Sequence, residues 1–140
     1  MTRVNGELRR QVIERAGGCC EYCLISREDR LLPFHVDHVI AEKHRGLTAL
    51  MNLCLSCPEC NEYKGSDLAS IDPETGEITP LFNPRKHRWS DHFRLNHVVI
   101  EPLTPEGRAT VFLLHLNDPA RLSEREVLIA EGRYPCQIPS

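Results

Sequence analysis

Two Cys-x-x-Cys pairs, Cys20/Cys23 and Cys57/Cys60, constrain this 140-residue chain more than any other feature. Each short turn presents two sulfurs on one side, and two such turns about 33 residues apart supply the four thiolates of a tetrahedral zinc site. The spacing predicts a structural zinc closed to substrate. A single pair would equally suit a redox couple or two buried thiols. Three cysteines remain over. Cys19 lies beside Cys20 but lacks the x-x spacing to Cys23, and Cys54 and Cys136 are expected to be small buried apolar residues. An odd count of seven without a visible export signal favours metal over disulfide bonds.

A chain of this length is expected to form one domain, residues 1–140, with a core small enough to gain from a metal staple. No apolar run approaches the roughly 20 residues needed to span a bilayer. Met1 to Gly18 carries Arg9, Arg10, Glu14 and Arg15 and has no apolar middle, unlike a signal peptide. The expectation is a cytoplasmic protein without a membrane partner. A formal net charge of −3 argues against a protein that coats nucleic acid with its whole surface, yet permits a local basic face.

Asn5 to Ala16 reads as a helix, capped by Asn5 and stopped by Gly17-Gly18. After the first cysteine knuckle, Leu31 to Val39 reads as a strand that Pro33 confines to an edge. Ala41 to Leu50 is loop-like, with a helical turn at Thr48 to Met51, and Asn52 to Leu55 is the return strand. A helix then starts at Pro58 and stops at Gly65. Ser66 to Pro80 is the best candidate for a flexible connection, with a turn at Asp72 to Glu77 and a short extended piece at Ile78 to Phe82. Phe93–Leu95 and Val98–Glu101 can pair around Asn96-His97. Thr104-Pro105 and Asp118-Pro119 each open a helix, the second running to about Glu131.

The junctions of the strand–loop–strand–helix stretch carry the chemistry. Hydrolysing a phosphodiester requires a nucleophile at neutral pH and compensation for phosphate charge. A neutral imidazole can deprotonate water, and a divalent cation can supply the charge. Magnesium prefers carboxylate and amide oxygens with waters retained. Asp37 is therefore a candidate ligand, Asn61 a second one, and His38 a candidate general base.

Over Cys20 to Gly65, the elements C-E-Y-C, V-D-H-V-I, N-L-C-L-S-C and C-P-E-C-N-E-Y-K-G resemble the HNH endonuclease family, in its subgroup stapled by two C-x-x-C pairs. The resemblance implies an α+β fold: a small ββα-metal (His-Me finger) core at 19–65 with a four-Cys zinc site. An N-terminal helix and a hairpin-plus-helices extension at 66–140 would flank it. It also implies that Asp37 and Asn61 hold a catalytic Mg²⁺ or another divalent cation such as Mn²⁺, that His38 activates the attacking water, and that Asn52 fastens the loop to keep His38 in register. Asn61 stands where the family name has its third letter, a substitution common in the family. The segments N-P-R-K-H-R-W-S-D-H-F and G-R-A-T-V resemble an extension of some bacterial members, to which no chemistry attaches.

DNA is the expected partner. Lys43 and His44 in the inter-strand loop, and Lys64 one turn beyond Asn61, are candidate phosphate contacts. Arg85, Lys86, Arg88 and Arg94 interleave with Trp89 and Phe93 as a backbone-binding surface would, or else the two rings are core and the charges their solvated flank. The acidic last helix, with Glu124, Glu126 and Glu131, is expected to face away from DNA. The leading expectation is thus a metal-dependent DNA endonuclease cutting by in-line attack of water. A zinc-stapled nucleic-acid-binding module without catalysis is the alternative. A thiol oxidoreductase, the third class, would cycle its cysteine pairs and hold no zinc.

Overall fold

Chain entry is set by Asn5, whose Oδ1 accepts from the Leu8 amide at 2.8 Å and caps helix α1 (Gly6–Ala16). Gly17 ends the helix in the left-handed region at φ 63°, where a side chain would be strained. The structure, a computed structural model, describes residues 4–140. The first three residues of the stretch weighed as an export signal lie outside the described residues. Val12 and Ala16 are the buried face of α1, which packs on the central hairpin.

That hairpin pairs β1 (His35–His38) antiparallel to β2 (Leu53–Ser56), placing Asp37 opposite Cys54 and His38 opposite Leu53. β2 is buried along its whole length, whereas β1 is only partly covered. The strand is shorter than the Leu31–Val39 stretch suggested, and Leu31 and Leu32 are exposed in the approach to it. Helix α2 (Pro58–Lys64) follows with Pro58 in its first turn and Gly65 at its end. Together with the knuckle at Cys20–Cys23 this is the expected ββα unit, and the chain is α+β throughout.

Ser66 to Pro80 is not a flexible connection. It forms a second antiparallel pair, β3 (Ala69–Ile71) with β4 (Ile78–Pro80). At its turn the buried Asp72 receives two 2.9 Å bonds from Arg108. A short helix α3 (Trp89–His92) leads into the third pair, β5 (Phe93–Asn96) with β6 (Val99–Pro102). Helix α4 (Pro105–Leu114) is capped by Thr104, and α5 (Pro119–Ala130) closes the order. One buried cluster runs from Val12 through Leu53, Phe93 and Leu114 to Tyr134, so extension and hairpin share a core. Among the described residues no helix is long and apolar enough to cross a membrane.

The C-terminal tail corrects one cysteine expectation. Cys136 forms a disulfide with Cys19, and its amide bonds the Leu24 carbonyl at 2.9 Å. The tail returns over the first knuckle, a meeting of residues 117 positions apart that no local pattern announces. Cys54 is buried, as expected, and burial pushes its thiol up to about 12.

Candidate metal centre and active site

The two knuckles converge. Sγ atoms of Cys20, Cys23, Cys57 and Cys60 lie within 4.8 Å of one another, with Cys23 and Cys57 at 3.7 Å. Sulfurs bound to zinc at ~2.3 Å in a tetrahedron stand roughly 3.8 Å apart, so the cluster has the size of a four-thiolate site. Cys20, Cys57 and Cys60 are fully buried and Cys23 nearly so, as a structural site requires. Glu21, between the first two ligands, locks the knuckle to the hairpin. Its amide bonds the Leu55 carbonyl at 2.9 Å, and its Oε2 accepts from the Leu55 amide at 2.8 Å. Burial raises the Glu21 carboxyl, against the opposing charge of Arg85.

At the other end of the same unit, β1 delivers Asp37 and His38. Asp37 Oδ2 is buried with no hydrogen-bond partner, its nearest cation being Lys64 Nζ at 3.9 Å. Burial raises this carboxyl, with Lys64 and His38 pulling the other way. His38 Nε2 lies 2.8 Å from Thr48 Oγ1 and 3.9 Å from Glu42 Oε1. The inter-strand loop is tied by Asn52: Oδ1 accepts from the Ile40 amide at 2.9 Å, and Nδ2 donates to the carbonyls of Ile40 at 2.9 Å and Leu47 at 2.8 Å. Gly46 makes that approach possible, since a Cβ there would collide with the Ile40 carbonyl and stand 2.8 Å from Asn52 Nδ2.

Asn61 follows Cys60 on α2 and is partly exposed. Lys64, three residues on, shares its helix face and reaches back to β1, so this face of α2 looks onto the Asp37–His38 end. Lys64 itself is not a phosphate contact. It is 2% exposed and its ammonium donates to the carbonyls of Val39 at 3.1 Å and His38 at 3.4 Å, because a cation buried here must be partnered by local oxygens.

Of the other candidate nucleic-acid contacts, Lys43 is exposed, and His44 Nε2 lies 3.2 Å from the Ser66 carbonyl. Arg85 is turned inward, donating to Glu21 and to the Leu53 carbonyl, so its guanidinium is occupied by the fold. Lys86 and Arg88 are exposed. Trp89 donates from Nε1 to the Tyr22 carbonyl at 2.8 Å and packs against Phe93. Phe93 is thus core and the half-buried Trp89 packs against it, with exposed cations beside them. Arg94 pairs with Glu101. Glu124 of the acidic helix is bound to Arg30, which also holds Glu59 of α2.

Two contributors escape sequence inspection. Thr48 carries no motif, and only its place in the loop after His38 hints at contact. Arg121 belongs to α5, yet its Nη2 lies 3.1 Å from Cys60 Sγ.

Residues 20–67, about a third of the chain, match the family model described as HNH endonuclease. Over this segment the chain is similar to the HNH endonuclease family, a similarity that points to a nuclease-type function in general. Among individual proteins, the chain is similar to "Septu protein PtuB" of Bacillus thuringiensis, with 26% identity over 120 residues. That alignment covers 84% of this chain and 44% of the relative, so the chain spans less than half of the relative's length. No solved structure matches significantly.

Proposed function

We propose that this protein is a divalent-cation-dependent endonuclease that hydrolyses DNA phosphodiester bonds, with His38 as general base and Asp37 and Asn61 as cation ligands. The observation that carries the reading is the buried, unpartnered Oδ2 of Asp37 next to a histidine fixed at one ring nitrogen. A carboxylate oxygen without a hydrogen bond costs stability where it lies, and a cation is the partner that its chemistry suits. One carboxylate and one amide, with water filling the remaining positions, is a donor set that magnesium accepts. The cation would offset negative charge on the phosphate.

The chain's own residues do the rest. In the tautomer in which His38 Nε2–H donates to Thr48 Oγ1, the lone pair is on Nδ1, ready to take a proton from the attacking water. Asn52 holds the loop that carries Thr48 back over the strand. Cys20, Cys23, Cys57 and Cys60 would hold a zinc ion that ties down the start of α2, and with it Asn61, the next residue after Cys60. Exposed Lys43, Lys86 and Arg88 are the remaining candidates for backbone phosphate contacts. Domain limits follow the same division: a nuclease core at 19–65 and an extension at 66–140 within one unit.

The alternative, a zinc-stapled module that binds nucleic acid without cutting, is favoured by one observation: the Lys64 ammonium already neutralises part of Asp37's charge. Plasmid incubated with zinc-loaded protein and Mg²⁺ or Mn²⁺ decides between them. Nicking or linearisation that chelator abolishes and His38→Ala removes is expected. Plasmid that is retarded in a gel yet never cut would establish the binding module instead.

A further inference from the structure

Arg121 is 6% exposed and lies outside the stretch that matches the nuclease family. One arm of its guanidinium, Nη1, donates to the Leu114 carbonyl at 2.9 Å and approaches that of His115 at 3.5 Å. These carbonyls close α4, where helical partners run out. The other arm, Nη2, lies 3.1 Å from Cys60 Sγ and 3.7 Å from Cys57 Sγ. The fork thus spans from the end of α4 to both sulfurs of the second knuckle. Arg125, one turn on, donates instead to the carbonyls of Val98 and Leu116 and to Asn117.

Four thiolates on one zinc ion would form a doubly negative group, and here the four cysteines are sealed from water. A buried charge of that kind needs a partner within the fold. Hydrogen bonds to a ligand's free lone pairs orient it and restrain its dissociation. We propose that Arg121 is a positioning residue of the cysteine metal centre: its buried guanidinium donates to Cys60 and Cys57, and zinc retention therefore depends on the docking of α5. The extension is then part of the metal site, although every ligand comes from the first 60 residues. The proposal rests on metal occupancy of the cysteine cluster and is independent of nuclease chemistry.

The test uses the full chain loaded with zinc. Metal content of the wild type comes first, and a folded protein that holds no zinc overturns the proposal outright. Zinc transfer to an excess of chromogenic chelator is then timed for wild type, Arg121→Met and Arg121→Lys. Arg108→Met, which breaks the Asp72 pair, serves as a control for general loss of stability. Arg121→Met is expected to release zinc about 10–100-fold faster, Arg121→Lys to fall between, and Arg108→Met to match the wild type. In cobalt-substituted protein, losing the N–H···S bonds should move the sulfur-to-cobalt charge-transfer band to longer wavelength, a change that mere loosening of the fold would not cause. Wild-type release together with an unshifted band in Arg121→Met overturns the proposal, as does equal acceleration in Arg108→Met. If Arg121→Met fails to fold, Arg121→Lys decides on the same two readouts.

Discussion

The two ends of the β1–β2–α2 unit treat their polar atoms in opposite ways. At the cysteine end four sulfurs face one another in a sealed space, and a guanidinium from α5 completes their surroundings. At the Asp37 end one carboxylate oxygen is left without a hydrogen bond, and Asn61 remains partly exposed on the helix. Structural metal sites are closed and catalytic ones keep positions open. In the proposed function the same short helix would serve both, since Cys60 and Asn61 are adjacent, and the closed end would be a mounting for the open one.

The comparison is broken most severely at the cysteine end. Structural zinc contributes about 10–16 kcal/mol in small domains, as much as the whole stability of many. Cys57→Ser is therefore expected to lose zinc and its cooperative thermal transition together, followed by metal analysis and circular dichroism. A zinc-free variant that melts like the wild type would show that the two ends are not built differently. At the open end the expectation is reversed. His38→Ala should lower plasmid cleavage by about 10²–10⁴-fold with the melting temperature unchanged, and a large drop in stability would mean that His38 is scaffold.

Local signals were legible where one residue type fixes one geometry. Asn5, Thr104 and the prolines at 58, 105 and 119 mark helix starts that the fold realises, and the hairpin around Asn96-His97 forms as its flanks suggest. The cysteine cluster was legible because two fixed turns leave few ways to satisfy four thiols. Contacts that depend on the whole fold were not. Arg121 meets Cys60 across 61 positions, and on its own helix it looks like one more solvated cation. Lys64 likewise carries no mark of burial in its neighbours. The Asp72 turn, read as a loose connection, is held by an arginine 36 residues on. At the Asp37 end the sequence supplied the candidates, and the fold added Thr48 and the unpartnered oxygen.

Intermediate effects sharpen the contrast between the metal unit and its flanks. Cys136→Ser removes the link from the tail to Cys19 and should cost about 2–4 kcal/mol, seen as a lower denaturation midpoint. Zinc content should stay full, because Cys19 is not among the four clustered sulfurs; loss of zinc would place the tail inside the metal unit. A further contribution is gated by acid. Hydrogen bonds from Arg108 hold the Asp72 carboxyl down to about 2, against roughly 3.9 when unfolded. A depressed carboxyl stabilises the fold fully above the unfolded value and loses that contribution as pH falls toward about 2. Melting temperatures recorded between pH 5 and 2 should fall less steeply in Asp72→Asn.

The smallest expected effect addresses how the open end is held. Thr48 Oγ1 meets His38 Nε2 at 2.8 Å, and a hydrogen bond of this kind is worth about 0.5–1.5 kcal/mol. Thr48→Val keeps the shape and removes the hydroxyl, so kcat should fall roughly two- to tenfold with KM unaltered, since no substrate contact is lost. Thr48→Ser keeps the hydroxyl and should recover most of the loss. If Val matches the wild type while Ser is impaired, the methyl packs the loop and the hydroxyl does not set the ring. If KM alone moves, Thr48 touches the nucleic acid, and His38 is held by Glu42 and the strand instead.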